Sequence, residues 1–251
     1  MADITALSWL WSQPNGRTSY TSEHVNIWAD SVSRNLDMDH EVAIVTDMVE
    51  GIDPRIRIIE PPRLFEDVKL PTWDTHNGKG LPQCLRRLAM YAPDAADWIG
   101  ERFVSMDIDC VIAGPLDPLL DRPDDFVMYR GTTDKRPYNG SMQMMTAGAR
   151  SQVFTEFTPE RAIEAGQKFI GSDQAWISHV LGWGEKTWGP EDGVVWWGSH
   201  RNHLAPDWKV MFFPGTPKPW DVASDAWVEL NWRRSDLWDE AAQMARKRKA
   251  S

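Results

Sequence analysis

Cysteine is nearly missing from this chain. Cys84 and Cys110 are the only two in 251 residues, too few for a disulfide framework or for a zinc site of their own. Also missing is any run of eighteen apolar residues, which disfavours a membrane-spanning helix. The start Met1-Ala2-Asp3-Ile4 has neither the basic nor the apolar region of a signal peptide, so a cytoplasmic location is expected. Basic charge is scarce: the formal net charge is −10, and a nucleic-acid polyanion is not the expected partner. The exception, Arg246-Lys247-Arg248-Lys249, reads as the solvated end of a helix rather than a patch for membrane or nucleic acid. No internal repeat or low-complexity linker divides the sequence, and a single domain over residues 1–251 is expected.

Tryptophan is what the chain has in excess, with fifteen residues concentrated from Trp176 onward. Trp183, Trp188, Trp196 and Trp197 suit either an acceptor-side platform for sugar rings or a compact aromatic core, and spacing does not choose between them.

The first half alternates strand-like and helix-like stretches. Ile4 to Trp11 is an apolar run of strand length. Val25, Trp28, Ala29, Val32 and Leu36 then form one buried helical stripe behind a possible cap at Ser22. Val42 to Thr46, ending at Asp47, and Ile56 to Ile59 are the next strands, and Leu81, Leu85, Leu88 and Ala89 mark another amphipathic helix. Phe103 to Met106, Phe126 to Tyr129 and Gly140 to Thr146 follow as strands. This rhythm predicts an α/β class with a doubly wound, mostly parallel sheet. Beyond residue 180 the pattern loosens, with strands expected at Val194 to Trp197 and Val210 to Phe213 and a closing helix at Ser235 to Lys249.

Asp107-Ile108-Asp109 sits where an apolar strand ends, and in open α/β sheets the carboxyl edge is where ligands bind. Side chains two apart on extended chain share a face about 6.5 Å apart, so both carboxylates can converge on one hard cation. A divalent ion bridging diphosphate oxygens fits that geometry.

Several ordered blocks resemble family 8 glycosyltransferases and their bacterial and phage relatives, which share the Rossmann-like GT-A fold. Phe103-Val104-Ser105-Met106-Asp107-Ile108-Asp109, followed by Val111-Ile112 and Leu116-Asp117-Pro118-Leu119-Leu120, is similar to the family's apolar strand and D-x-D motif. Tyr138-Asn139-Gly140-Ser141-Met142 resembles its Asn-and-small-residue lead into a buried strand. Gly171-Ser172-Asp173-Gln174 resembles its Asp-Gln motif at a helix start, and Gly215-Thr216-Pro217-Lys218-Pro219-Trp220 its late Gly-x-x-Lys-Pro-Trp signature. More loosely, Trp9-Leu10-Trp11, Tyr20 and Thr46-Asp47 look like its nucleotide-binding edge, and Arg87 like its donor-side Arg.

The resemblance implies a retaining, metal-assisted transferase of the hexosyltransferase kind, moving a sugar from a nucleotide-sugar, a UDP-sugar above others. The nucleotide-binding half would cover about residues 1–125 and the acceptor-side half about 126–235, with a helix and basic tail at 236–251. Asp107 and Asp109 would hold Mn²⁺ or Mg²⁺, and Lys218 would face the donor phosphates. Arg87, Asn139, Asp173 and Gln174 would hold sugar hydroxyls or the reacting centre. Trp11, Thr46, Asp47 and Trp220 would bind donor, with Lys79 as a loop candidate for phosphate. The family usually has a His ligand just before the late Gly, where this chain has Pro214, so Asp173, His200, His203 or water would have to fill that position. The acceptor is open: a glycan, a lipid-linked sugar, a protein, a metabolite or a modified phage DNA base, the last disfavoured by the acidic balance.

Plain structural readings accompany these. Asp173 is an equally good helix N-cap, Asn139 and Gly140 a turn, Trp220 a core aromatic, and His200, His203 and Lys79 solvated side chains. Asp109, taken as a surface carboxylate at a strand end, is expected to be dispensable for stability. Two alternative functions remain. One is a haloacid-dehalogenase-like phosphatase, whose nucleophile motif also fits Asp107-x-Asp109. The other is a catalytically inactive relative that binds glycans or a partner.

Overall fold

The computed structural model describes residues 2–12, 18–65, 68, 84–169, 171–200 and 207–234. Lys79, His203 and the closing helix expected after Ser235 lie outside the described residues, as does the side chain of His200.

Seven strands form the central sheet in the order β3 (Arg57–Ile59), β2 (His40–Thr46), β1 (Ile4–Leu10), β4 (Arg102–Met106), β7 (Tyr138–Thr146), β6 (Phe126–Arg130), β8 (Thr187–Trp188). Neighbours run parallel except at β7, which is antiparallel to both β4 and β6. All seven residues of β1 are buried, as expected of a central parallel strand covered on both faces. Its alternate residues serve opposite cores: Ile4, Ala6 and Leu10 on one side, Leu7 and Trp9 on the other.

The first of these cores is covered by α1 (Ser22–Asn35) and a small second sheet. The helical stripe is buried as predicted at Val25, Trp28, Ala29, Val32 and Leu36. The cap, however, is Thr21: Ser22 is already helical, and the Thr21 backbone N–H donates to His24 Nδ1 at 3.1 Å. The second sheet has the order β5 (Cys110–Ile112), β10 (Val210–Phe212), β9 (Val194–Trp196). It is the main departure from a purely doubly wound expectation, because β5 pairs antiparallel with a strand about a hundred residues later. Cys84 and Cys110 are both free.

The second core lies under a 3₁₀ segment, Leu85–Tyr91, and a group of helices. These follow α2 (Asp117–Leu120) in the chain as α3 (Gln152–Thr155), α4 (Pro159–Lys168) and α5 (Asp173–Leu181). The amphipathic α-helix expected from Leu85, Leu88 and Ala89 is thus a tighter 3₁₀ turn; Leu81 is outside the described residues. Pro93 explains the shortness, since it holds Ala92 in an extended conformation (φ −60°, ψ 147°) and stops helical propagation. Trp176 of α5 is fully buried and donates its indole N–H to Val153 O at 2.7 Å.

An ion-pair network ties α1 to the far end of the chain. Buried Asp30 meets Arg234 at 3.0 Å and Arg55 at 3.7 Å, and both arginines also hold Asp53. The Arg55 hydrogen bond pulls Asp53 down to about 2 against the smaller opposing effect of its partial burial. A depressed carboxylate stabilises the fold fully above its unfolded value near 4 and loses that contribution as pH falls toward 2. Asp53→Asn is therefore expected to flatten the acid limb of stability between about pH 4 and pH 2, read by urea melts across that range. An unchanged acid limb contradicts the assignment.

Candidate functional site at the carboxyl edge of the sheet

The carboxyl ends of β1, β2 and β4 come together. Ser8 Oγ donates to Met106 O at 2.6 Å and Trp9 Nε1 to Ser105 Oγ at 3.1 Å, which fixes β1 against β4 just before Asp107. Asp47 Oδ1 accepts from the Ser12 backbone N–H at 2.9 Å, and Thr46 Oγ1 accepts from that of Met48 at 2.9 Å, closing the ends of β1 and β2. Trp11 stands beside them with the Arg86 guanidinium over its ring at 5.4 Å. Of the expected nucleotide edge, Trp11 is partly exposed and Asp47 exposed, whereas Thr46 is buried at 1% exposure with its hydroxyl turned to the Met48 N–H.

Arg87 is the hub of the next layer. Its guanidinium donates to Asp107 Oδ1 at 2.5 Å, to Asp173 Oδ2 at 2.8 and 2.6 Å, and to Gly140 O at 3.1 Å. Burial opposes its charge, but Asp173 and Asp107 outweigh that and hold it well above the ordinary Arg value. Gly140 is required here, because a Cβ would lie 2.7 Å from the guanidinium. Asp173 and Gln174 come from the first turn of α5; Gln174 Oε1 accepts from the Gly140 N–H at 3.2 Å, and Asn139 Oδ1 from the Ser141 N–H at 2.9 Å. The four residues expected around the sugar are therefore adjacent. Arg87 itself is turned inward on carboxylates, so it positions others rather than presenting free donors.

Asp109 is a buried group, 7% exposed, and not the surface carboxylate expected from its place at a strand end. Its backbone O accepts from the Phe213 N–H at 3.0 Å, which draws the Asp109 turn under β10. Oδ2 accepts from the Tyr20 hydroxyl at 2.8 Å and from the Lys218 ammonium, which also donates to Phe213 O at 3.0 Å. Burial raises the Asp109 carboxyl above its ordinary range, Lys218 opposes this, and the nearby Asp107 charge adds to it. Lys218 is held by its own backbone N–H, which donates to Asp221 Oδ2 at 2.8 Å. Next to it, Trp220 stacks on His24 at 3.9 Å and meets Tyr20 edge-on at 5.8 Å. Tyr20 had only a loose sequence signal, and its hydroxyl contact with Asp109 could not be read from spacing. Burial raises its phenol, so it is a donor to Asp109 and not a phenolate. Cys84, whose N–H donates to Ser172 Oγ at 2.9 Å, has its thiol pushed up to about 12 by burial and stays neutral.

The tryptophans do not make a single platform. Trp188 is fully buried, Trp183 is 66% exposed, and Trp197 stacks on Phe213 and Trp227. Trp183 is displayed because Gly182 and Gly184, at positive φ, carry the chain away from the end of α5.

The donor set suits a hard divalent ion. Among the described residues, the contacts to Asp107 engage Oδ1 and those to Asp109 engage Oδ2, and the ammonium on Asp109 already stands in for a cation there. Among the described residues no third His, Cys, Asp or Glu joins the pair, and Pro214 has no ligating side chain. Two carboxylates with substrate phosphates and water completing the shell is a normal arrangement for Mg²⁺. Three carboxylates, Asp107, Asp109 and Asp173, stand with the charges of Arg87 and Lys218, and Arg136 lies within electrostatic reach of Asp173.

The mostly parallel seven-stranded sheet flanked by helices is that of a GT-A fold, as in solved glycosyltransferases. The galactosyltransferase LgtC, solved with donor and acceptor sugar analogues, superposes with a TM-score of 0.58 at 12% identity, over 94% of this chain and 99% of that one. GlyE of Streptococcus pneumoniae TIGR4 gives 0.52 at 11% identity over 91% of this chain, and the bifunctional WbbM 0.51 at 12% over 87%; this chain spans 60% and 47% of theirs. No protein-family model matches the sequence, and no curated protein matches it. The haloacid-dehalogenase and inactive-relative alternatives are not favoured by these likenesses. No helix among the described residues is long and apolar enough to cross a membrane.

Proposed function

We propose that this chain is a hexosyltransferase-like glycosyltransferase that moves a sugar from a nucleotide-sugar donor, a UDP-sugar above others, to a hydroxyl-bearing acceptor. The observation that carries the reading is the cluster of Asp107, Asp109, Arg87, Asp173 and Lys218 at the carboxyl edge of a GT-A sheet. A cytoplasmic location and retention of configuration, the family 8 mode, belong to the same proposal, and the complex of LgtC with sugar analogues supports donor and acceptor binding in such a fold.

Transfer must stabilise a departing nucleoside diphosphate and an oxocarbenium-like sugar. Asp107 and Asp109 would hold Mn²⁺ or Mg²⁺, which supplies Lewis-acid stabilisation of the leaving diphosphate when bound. Lys218, beside Asp109, delivers a second positive charge to the diphosphate. Arg87 locks Asp107 and Asp173 in one orientation, so the phosphate side and the sugar side of the site keep their spacing. Asp173 carries the negative charge nearest the expected anomeric centre, while Asn139 and Gln174 supply directional hydrogen bonds to sugar hydroxyls. Trp11 and Asp47 receive the nucleoside with buried Thr46 behind them, Trp220 walls the diphosphate side, and Lys79 is a further phosphate candidate.

Incubation with a panel of nucleotide sugars and Mn²⁺ or Mg²⁺ tests this, reading thermal shift and slow donor hydrolysis. A metal-dependent response to at least one donor is expected. Silence across the whole panel contradicts a transferase and favours the inactive-relative alternative.

A further inference from the structure

Lys218 and the proposed metal lay claim to the same carboxylate. The Lys218 ammonium and the Tyr20 hydroxyl both donate to Oδ2 of Asp109, and the Lys218 side chain is 9% exposed, with Phe213 O as its other acceptor. A buried ammonium paired with a buried carboxylate is costly to separate unless another anion takes it over. A divalent ion approaching Asp109 meets that positive charge directly, in a region of low dielectric where repulsion is strong.

We propose that Lys218 is a displaceable internal counter-cation. With no donor present it occupies Asp109 and weakens metal binding. An arriving diphosphate draws the ammonium away, and the metal then reaches Asp109. Metal and donor would thus bind with positive coupling, and each would raise the affinity for the other by the same factor. This rests on the metal-assisted donor site proposed above and adds the order in which that site assembles. It gives Lys218 a second role: besides meeting phosphate, it keeps the carboxylate pair closed until phosphate is there. The Asp221 carboxylate accepts from the Lys218 backbone N–H at 2.8 Å, so the displacement falls to the lysine side chain.

The consequence runs against the ordinary expectation that removing a binding residue weakens binding. Lys218→Met is expected to bind Mn²⁺ about tenfold more tightly than the unaltered protein when no nucleotide is present, with donor affinity reduced. Lys218→Arg, which keeps the cation on Asp109, is expected to bind Mn²⁺ no better than the unaltered protein. Titration of the full chain with Mn²⁺, followed by water-proton relaxation or calorimetry with and without UDP, reads both values; circular dichroism checks the fold. If the Met variant does not fold, Lys218→Gln keeps a donor to Asp109 without charge and carries the same expectation. Mn²⁺ affinity unchanged or weaker in the uncharged variant, with Mn²⁺ still bound by the unaltered protein, overturns the counter-cation role and leaves the metal-assisted reading standing. No Mn²⁺ bound by either protein, with or without UDP, overturns both.

Discussion

Arg87→Met is expected to lower the unfolding free energy by about 3–5 kcal/mol, the range for breaking a buried ion pair from one side. The value is placed high because two carboxylates lose their partner at once. Asp173 is 5% exposed in its side chain and receives two of the guanidinium bonds, while Asp107, at 29%, receives the shortest. The Gly140 carbonyl loses a donor as well. Methionine fills the volume but leaves three acceptors facing one another, and like charges at close range add repulsion to desolvation. Donor turnover should fall with it, since Asp107 and Asp173 would no longer be held at a fixed spacing. Chemical denaturation gives the stability term. A loss below about 1 kcal/mol would show that the hub is not a buried ion-pair centre.

Asp109→Asn is expected to weaken metal-dependent donor binding by at least about 100-fold, comparable to truncating one side of a buried charged contact. Stability also falls, because Lys218 keeps its charge and loses its counter-ion; the burial of Asp109 makes this change structural as well as functional. A second variant separates the two effects. Asp109→Asn with Lys218→Met removes both charges, and replacing a whole buried pair by neutral groups is often close to neutral for stability. The double variant is therefore expected to regain most of the lost stability and none of the donor binding. Regained binding would show that Asp109 acts through Lys218 alone and holds no metal.

Much of this layout was legible in the sequence where the signal is local. Phe103 to Met106 reads as a buried strand because both faces of a central parallel strand are covered, and the acidic pair at its end follows from the chain leaving the sheet there. The stripe from Val25 to Leu36 is equally plain. Non-local pairings were not legible. Nothing in Cys110-Val111-Ile112 announces a partner at Val210 to Phe212, so the second sheet was missed as a sheet although both apolar runs were seen. The reversal of β7 has the same cause. The helix α4 is a different failure, since Thr158 followed by Pro159 is a cap with proline at the first helical position. The sequence expects Arg87 to face a ligand; only the fold shows that it faces Asp107 and Asp173. The assumption that Asp109 is a surface group failed because Phe213 and Lys218, a hundred residues away in sequence, close over it.

A crystal structure of the protein with Mn²⁺ and an intact UDP-sugar tests the assignment of Asp107, Asp109 and Lys218 to the donor diphosphate. The metal is expected on Asp107 and Asp109, the diphosphate in contact with the Lys218 ammonium, and the sugar beside Asp173 and Gln174. Donor bound away from the carboxyl edge of β4, or a diphosphate that touches neither Lys218 nor a metal on the Asp107–Asp109 pair, would contradict it.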